Sequence, residues 1–234
     1  MQQITAFRSK NALVYDALRN AVIQGDLKPG ERLVIEDLAN SLGVSPIPVR
    51  EALRQLEGDG FVTIEPYVGA MVTEMKPTMI CEIFELLAVL ETISGRAACE
   101  RMTEADLNTM SEHLTRMDAA LDDPNQWSQY NIAFHLLICE HARTPLVRNT
   151  MAKAFDHWDR LRNHYIEDVF VHRLDRAQRQ HHEMVETLRR RDADAFVALT
   201  QQHNRDALAA YVDYLASKGI IDTDTECLSP APDG

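Results

Sequence analysis

Apolar positions along the chain change their spacing once. Up to about residue 75, short apolar runs are separated by turn signals at Gly25, Lys28-Pro29-Gly30, Gly43 and Gly58-Asp59-Gly60. Beyond Met75-Lys76-Pro77 they follow long helical periods, broken by polar joints at Met102-Thr103, Asp122-Asp123-Pro124, Thr144-Pro145 and Arg191-Asp192. Joints about 20 residues apart predict an antiparallel helical bundle. Ile80, Ile83, Phe84, Leu87, Leu90 and Ile93 recur at helix spacing, and Leu86 and Val89 add a second apolar face. A helix apolar nearly all round is expected at the centre of such a bundle. The tail after Gly219, rich in Asp, Thr, Ser and Pro, reads as disordered. The pattern predicts a mainly α chain with a small first domain (residues 1–75), an all-helical second domain (76–218) and a tail (219–234).

The first domain has a more specific grammar. Leu38, Ala39 and Leu42 form an apolar stripe on a short helix, and Gly43 permits a tight turn. Ser45 suits an N-cap, and Pro46 suits the first helical position, where a missing N–H costs nothing. The next helix has Val49, Ala52, Leu53 and Leu56 on one side and Ile47, Arg50 and Arg54 on the other. That is a helix-turn-helix with a cationic outer face. Two β-rich runs follow, Phe61–Glu65 and Ala70–Thr73, joined by Pro66-Tyr67-Val68-Gly69. They predict a hairpin wing with Gly69 near its tip. A winged helix-turn-helix has double-stranded DNA as its expected partner.

Charge qualifies that expectation. The chain carries a net −12, and residues 1–76 hold eight basic and ten acidic side chains. DNA contact must therefore rest on a few placed cations and on dimerisation, not on a strong basic field. No apolar run approaches the ~20 residues of a membrane span, and MQQITAFRSK lacks an apolar signal core. The four cysteines show no CxxC spacing. Reduced thiols in the cytoplasm are expected.

The second domain holds candidate ligands. Asn131 and His135 stand four apart, so they share one helix face. His181 and His203 lie on successive helices either side of the Asp192 joint. Three helices could aim one amide and three imidazoles at one point, a donor set that suits zinc or nickel. Spacing alone leaves hydrogen-bonded core histidines as the alternative. A metal-dependent enzyme using the three histidines is the competing function, but neither HExxH nor a nucleophile elbow is present.

The segments GDLKPGERL, LANSLGVS and PVREALRQLEGDGFV resemble the N-terminal domain of the GntR family of regulators. The resemblance implies that Ser45 and the helix of Arg50 enter the major groove and that the wing near Gly69 approaches the minor groove. Pro46 and Ile47 depart from the family, which usually has Arg and Thr there. The region Pro77–Ser217 resembles the FCD ligand-binding domain of FadR-like members. Its D-x-x-x-H motif, its histidine-led segment and its last histidine fall on Asn131, His135, His181 and His203, with Asn131 replacing Asp. The family's first-helix arginine is replaced by Leu87. An effector carboxylate would then fall to the metal, or to Arg96 or Arg162. The resemblance implies a homodimeric regulator, a repressor, whose operator affinity is set by a small-molecule effector, an organic acid, beside a divalent metal. Zinc is the expected ion, with nickel and manganese as alternatives.

Overall fold

The computed structural model describes residues 10–165 and 173–221, which form two compact units dividing between Lys76 and Pro77. The expected tail lies outside the described residues from position 222 on.

The first unit runs α1 (Lys10–Gln24), β1 (Arg32–Leu33), α2 (Ile35–Leu42), α3 (Pro46–Gly58), β2 (Val62–Glu65) and β3 (Gly69–Val72). Val14, Leu18 and Val22 of α1 repeat every four residues and pack on Val49, Ala52, Leu53 and Leu56 of α3 in one apolar core. Gly43 caps α2 with φ +64, a left-handed conformation that suits glycine, and the chain turns at once into α3. Pro46 opens α3 as expected. Ser45 sits at the N-cap, but its side chain makes no capping hydrogen bond. The wing is β2 and β3, paired antiparallel from Val62↔Val72 to Glu65↔Gly69. Gly69 thus begins the returning strand, and Tyr67, at φ +66, occupies the tip. A third strand escaped the sequence reading: β1 is only two residues long, yet it pairs with β3 and makes the order β1-β3-β2.

The second unit contains α4 (Met79–Arg101), α5 (Glu104–Asp118), α6 (Pro124–His141), α7 (Pro145–Tyr165), α8 (Leu174–Arg189) and α9 (Ala193–Ser217) among the described residues. Every polar joint read from the sequence falls at a helix boundary. Thr103 closes a capping box with Asp106, and Asp123 and Asp192 accept hydrogen bonds from Gln126 N and Ala195 N. These side chains satisfy N–H groups that a helix start leaves open. Helix α4 packs against α6, α7, α8 and α9. Gly95 lets α9 approach α4 closely, since a Cβ there would lie 2.0 Å from the Phe196 ring.

The centrality of α4 needs one correction. Its face of Ile80, Ile83, Phe84, Leu87 and Leu90 is buried, but Leu86, Val89 and Ile93 are 43%, 58% and 48% exposed. The second apolar face is thus uncovered among the described residues. The cysteines need another: Cys99 and Cys139 are buried free thiols, whereas Cys81 is disulfide-bonded. None of the described helices is long and apolar enough to cross a membrane.

Candidate metal centre

Three helices bring four of the predicted ligands together. Helix α6 supplies Asn131 and His135 one turn apart, α8 supplies His181, and α9 supplies His203. One ligand atom from each histidine lies within 4.8 Å of the others. The ring centroids are 5.3 Å (His135–His181), 5.7 Å (His135–His203) and 4.8 Å (His181–His203) apart. All four side chains are buried, His181 completely.

The hydrogen bonds around the cluster turn lone pairs inward. His135 Nδ1 lies 2.7 Å from Glu91 Oε1 on α4. A carboxylate only accepts, so Nδ1 carries the proton and Nε2 is the nitrogen left for a metal. Glu91 is itself buried and also accepts from Asn204 Nδ2 at 2.6 Å. Gln180 does the same for His203. Its amide nitrogen donates to Asp206 Oδ2 at 2.8 Å, so its oxygen faces His203 Nδ1 at 2.9 Å. Orientation of ligand imidazoles by such outer partners is the usual arrangement of histidine metal sites.

His181 is held differently. Its ring stacks on Trp127, with centroids 5.6 Å apart and planes 24° from parallel, and it tilts against Phe134 at 4.7 Å. The Trp127 indole donates to Gln178 Oε1 at 3.2 Å. Neither nitrogen of His181 has a hydrogen-bond partner, and Asn131 Oδ1 has none either. Buried polar atoms seldom stay unpaired, because each forfeits its bonds to water. Burial first, then neighbouring positive charge, holds the His181 and His203 pKa values well below the ordinary 6.5. They are neutral near pH 7, the form that binds metal. Three imidazoles, two of them held neutral by burial, and an amide oxygen fit a zinc-type ion.

Asn131, His135 and His203 line a cavity of about 40 Å³, with Phe84, Leu87, Phe155, Trp158 and Tyr211 among its other walls. Burial pushes the Tyr211 hydroxyl up to about 12. Neither arginine expected for an effector lines this space. Arg96 is exposed and pairs with Asp194 at 3.1 Å. Arg162 is buried, with Nε donating to Asp159 at 3.0 Å and Nη1 to Asn125 at 3.1 Å. Leu87, by contrast, is on the cavity wall. His182, next to His181, faces outward and pairs with Asp118 at 2.9 Å.

Sequence reasoning missed Glu91, Gln180 and Arg173. For Glu91 a signal existed. It stands four residues after Leu87 and seven after Phe84, so it is an acid placed in the apolar stripe of α4. Gln180 and Arg173 carry no comparable signal.

In the first unit the proposed DNA-reading residues share the outer side of α3. Ile47 is 66% exposed, and Ser45, Arg50 and Arg54 are exposed beside it. Tyr67 is fully exposed at the wing tip, and Gly69 is half-buried.

Comparison with known proteins gives two family matches. Residues 10–72 match the bacterial regulatory proteins of the gntR family, and residues 82–206 match the FCD domain. The HTH-type transcriptional regulator YdhC of Bacillus subtilis (strain 168) is 27% identical over 186 residues, covering 77% of this chain and 81% of its own. The HTH-type transcriptional regulator McbR of Escherichia coli (strain K12) is 32% identical over 136 residues, covering 57% of this chain and 62% of its own. The solved structure of E. coli McbR/YncC superposes with a TM-score of 0.75 at 23% identity, covering 88% of this chain and 99% of that one.

Proposed function

The chain belongs to the GntR family of bacterial regulators with an FCD domain, and on that premise we propose that a small-molecule effector, bound beside a metal ion among His135, His181, His203 and Asn131, controls its hold on DNA. The protein is a DNA-binding transcriptional regulator, and its relatives are regulators rather than enzymes. The observation that carries the sensing role is the set of unpartnered atoms on His181 and Asn131, sealed beside two imidazoles whose lone pairs are turned inward. Zinc fits this donor set, and nickel or manganese are the alternatives. A bound ion would supply positive charge and open coordination positions; the protein buries the ligands and holds His181 and His203 neutral. Asn131 keeps a carbonyl oxygen but gives up the negative charge of an aspartate, leaving the site more receptive to an anion.

The domain roles follow: residues 1–75 read DNA and residues 76–218 bind effector and metal and dimerise. Arg50 and Arg54 are the cations on the outer face of α3, with Ile47 between Ser45 and Arg50 on the same side. A good bidentate base contact is worth ~1–3 kcal/mol of discrimination, so in an acidic protein a few such contacts decide the operator. A second copy completes the reader, because two winged domains match the two halves of a palindrome. The uncovered Leu86, Val89 and Ile93 of α4 form the apolar stripe offered to that copy. Repression follows if effector binding stabilises the orientation of the two reading helices that fits the operator least. The coupling needed is modest, since ~1–3 kcal/mol changes affinity about five- to 150-fold.

The experiment is a selection of binding sites from random duplex DNA with the metal-loaded full chain, followed by gel shifts. A two-fold symmetric site is expected, with specific binding lost in Arg50→Ala and changed by metal removal. An Arg50→Ala protein with wild-type affinity contradicts the reading of α3, and binding indifferent to metal contradicts the sensing role.

A further inference from the structure

The cavity beside the histidines has a cation on its wall that no hydrogen bond from the protein fully engages. Arg173, the residue before α8, is the sole Arg or Lys among the described residues lining it. Its Nη2 is sealed from solvent and has no hydrogen-bond partner. Burial lowers the pKa of this guanidinium from its usual value. A guanidinium carries five donors and stays charged in proteins, so a sealed, unpaired nitrogen is costly. The carboxylate on the same wall does not relieve it, because Glu91 is engaged by His135 and Asn204.

Charge balance leads to the same residue. Glu91 and Arg173 carry opposite single charges, so the cavity wall is close to neutral without metal. A divalent ion leaves a buried excess of positive charge, and such an excess is unfavourable until an anion enters. Beyond the metal ligands, Asn204 and Tyr211 add polar groups, and the rest of the wall is apolar, with Phe84, Leu87, Phe155, Trp158 and Leu174. A volume of about 40 Å³ suits a small ligand and not a large one.

We infer that Arg173 receives the anionic head of the effector, and that the effector is a small monocarboxylate with a largely apolar body. The inference rests on the metal-centred sensor proposed above. It moves the anion-binding cation from the first helix of the domain, where Leu87 stands on the same cavity wall, to the start of α8. Arg96 and Arg162 have no part in it, being engaged with Asp194 and with Asp159 and Asn125. The small volume, rather than the charge, favours a single carboxylate over phosphate or a dicarboxylate.

The test is calorimetry on the zinc-loaded full chain with acetate, propionate and L-lactate, using propionamide as the uncharged control. Zinc content is measured in every sample, and circular dichroism checks folding. The expected result is that at least one carboxylate binds and that propionamide binds at least ~tenfold more weakly. Arg173→Gln should weaken carboxylate binding by ~tenfold or more while zinc content stays at wild-type level. Arg173→Lys, which keeps the charge, should bind with intermediate affinity and still prefer acid over amide. Should the Gln variant not fold, the Lys variant decides alone: wild-type affinity overturns the inference, and reduced affinity with the acid preference retained supports it. Carboxylate affinity unchanged in Arg173→Gln, equal binding of acid and amide, or no carboxylate binding to the wild type also overturns it. Binding that depends on Arg173 in a protein taking up no zinc would sink the metal centre and leave Arg173 standing. Zinc uptake with binding indifferent to Arg173 would do the reverse.

Discussion

Two buried, neutral histidines make the metal-free protein sensitive to acid in a way that can be worked out. Burial holds His181 and His203 well below the ordinary pKa of 6.5. In the unfolded chain both regain that value. As pH falls below 6.5 the unfolded state takes up protons that the folded state refuses, and it gains relative stability. The contribution of each neutral imidazole is therefore complete above pH 6.5 and is lost as pH falls toward its folded pKa. By pH 5.5, one unit below 6.5, each costs on the order of 1 kcal/mol and the two together a few kcal/mol. Against a typical total of ~5–15 kcal/mol that is a large fraction. The assay is urea unfolding of zinc-stripped protein at pH 7.5, 6.5 and 5.5. Tryptophan fluorescence reports on the helical unit, because both tryptophans, Trp127 and Trp158, lie in α6 and α7. His181→Leu should remove about half of the loss between pH 7.5 and 5.5. If the variant loses as much stability over that interval as the wild type does, His181 is not held neutral by burial and the reasoning fails.

Other outcomes follow from the same contacts. Glu91→Gln removes the carboxylate that orients His135, and zinc affinity should fall by ~10–100-fold in competition with a chromophoric chelator; an unchanged value would show that His135 needs no anion behind it. Asn131→Asp adds a negative charge beside the three imidazoles and should tighten zinc by roughly tenfold in the same titration. Gly95→Ala places a methyl group 2.0 Å from the Phe196 ring and should cost ~1–3 kcal/mol in urea unfolding, outweighing the helix-propensity gain of at most ~1 kcal/mol.

The parts of the fold that sequence revealed are those with local causes. Thr103, Asp123 and Asp192 announce helix starts because their side chains bond the backbone a few residues on. Gly43 and Pro46 mark the turn of the helix-turn-helix through backbone conformation alone. The strand β1 was not legible, since two residues carry no period and its pairing to β3 bridges almost 40 residues. The open face of α4 was misread because Leu86, Val89 and Ile93 look like core by composition; whether an apolar stripe is covered depends on what packs over it.

The candidate site divides in the same way. Asn131 and His135 were found through an i, i+4 relation, and His181 and His203 through their places on successive helices. Glu91, Gln180 and Arg173 reach the same region from α4 and α8, and only tertiary packing brings them there. Arg96 and Arg162 were plausible cations by type, but their partners are Asp194 and Asp159. A charge on a helix says little about a cavity until its direction is known.

The central claim is that one ion sits among three imidazoles and an amide inside the helical unit. Anomalous diffraction at the zinc edge, on crystals of the zinc-loaded full chain, tests it most directly. The account predicts one strong peak per chain, with the facing nitrogens of His135, His181 and His203 at ~2.0–2.1 Å and Asn131 Oδ1 in contact. Zinc found only at surface pairs such as His182–Asp118, with no peak inside the cluster, would contradict it.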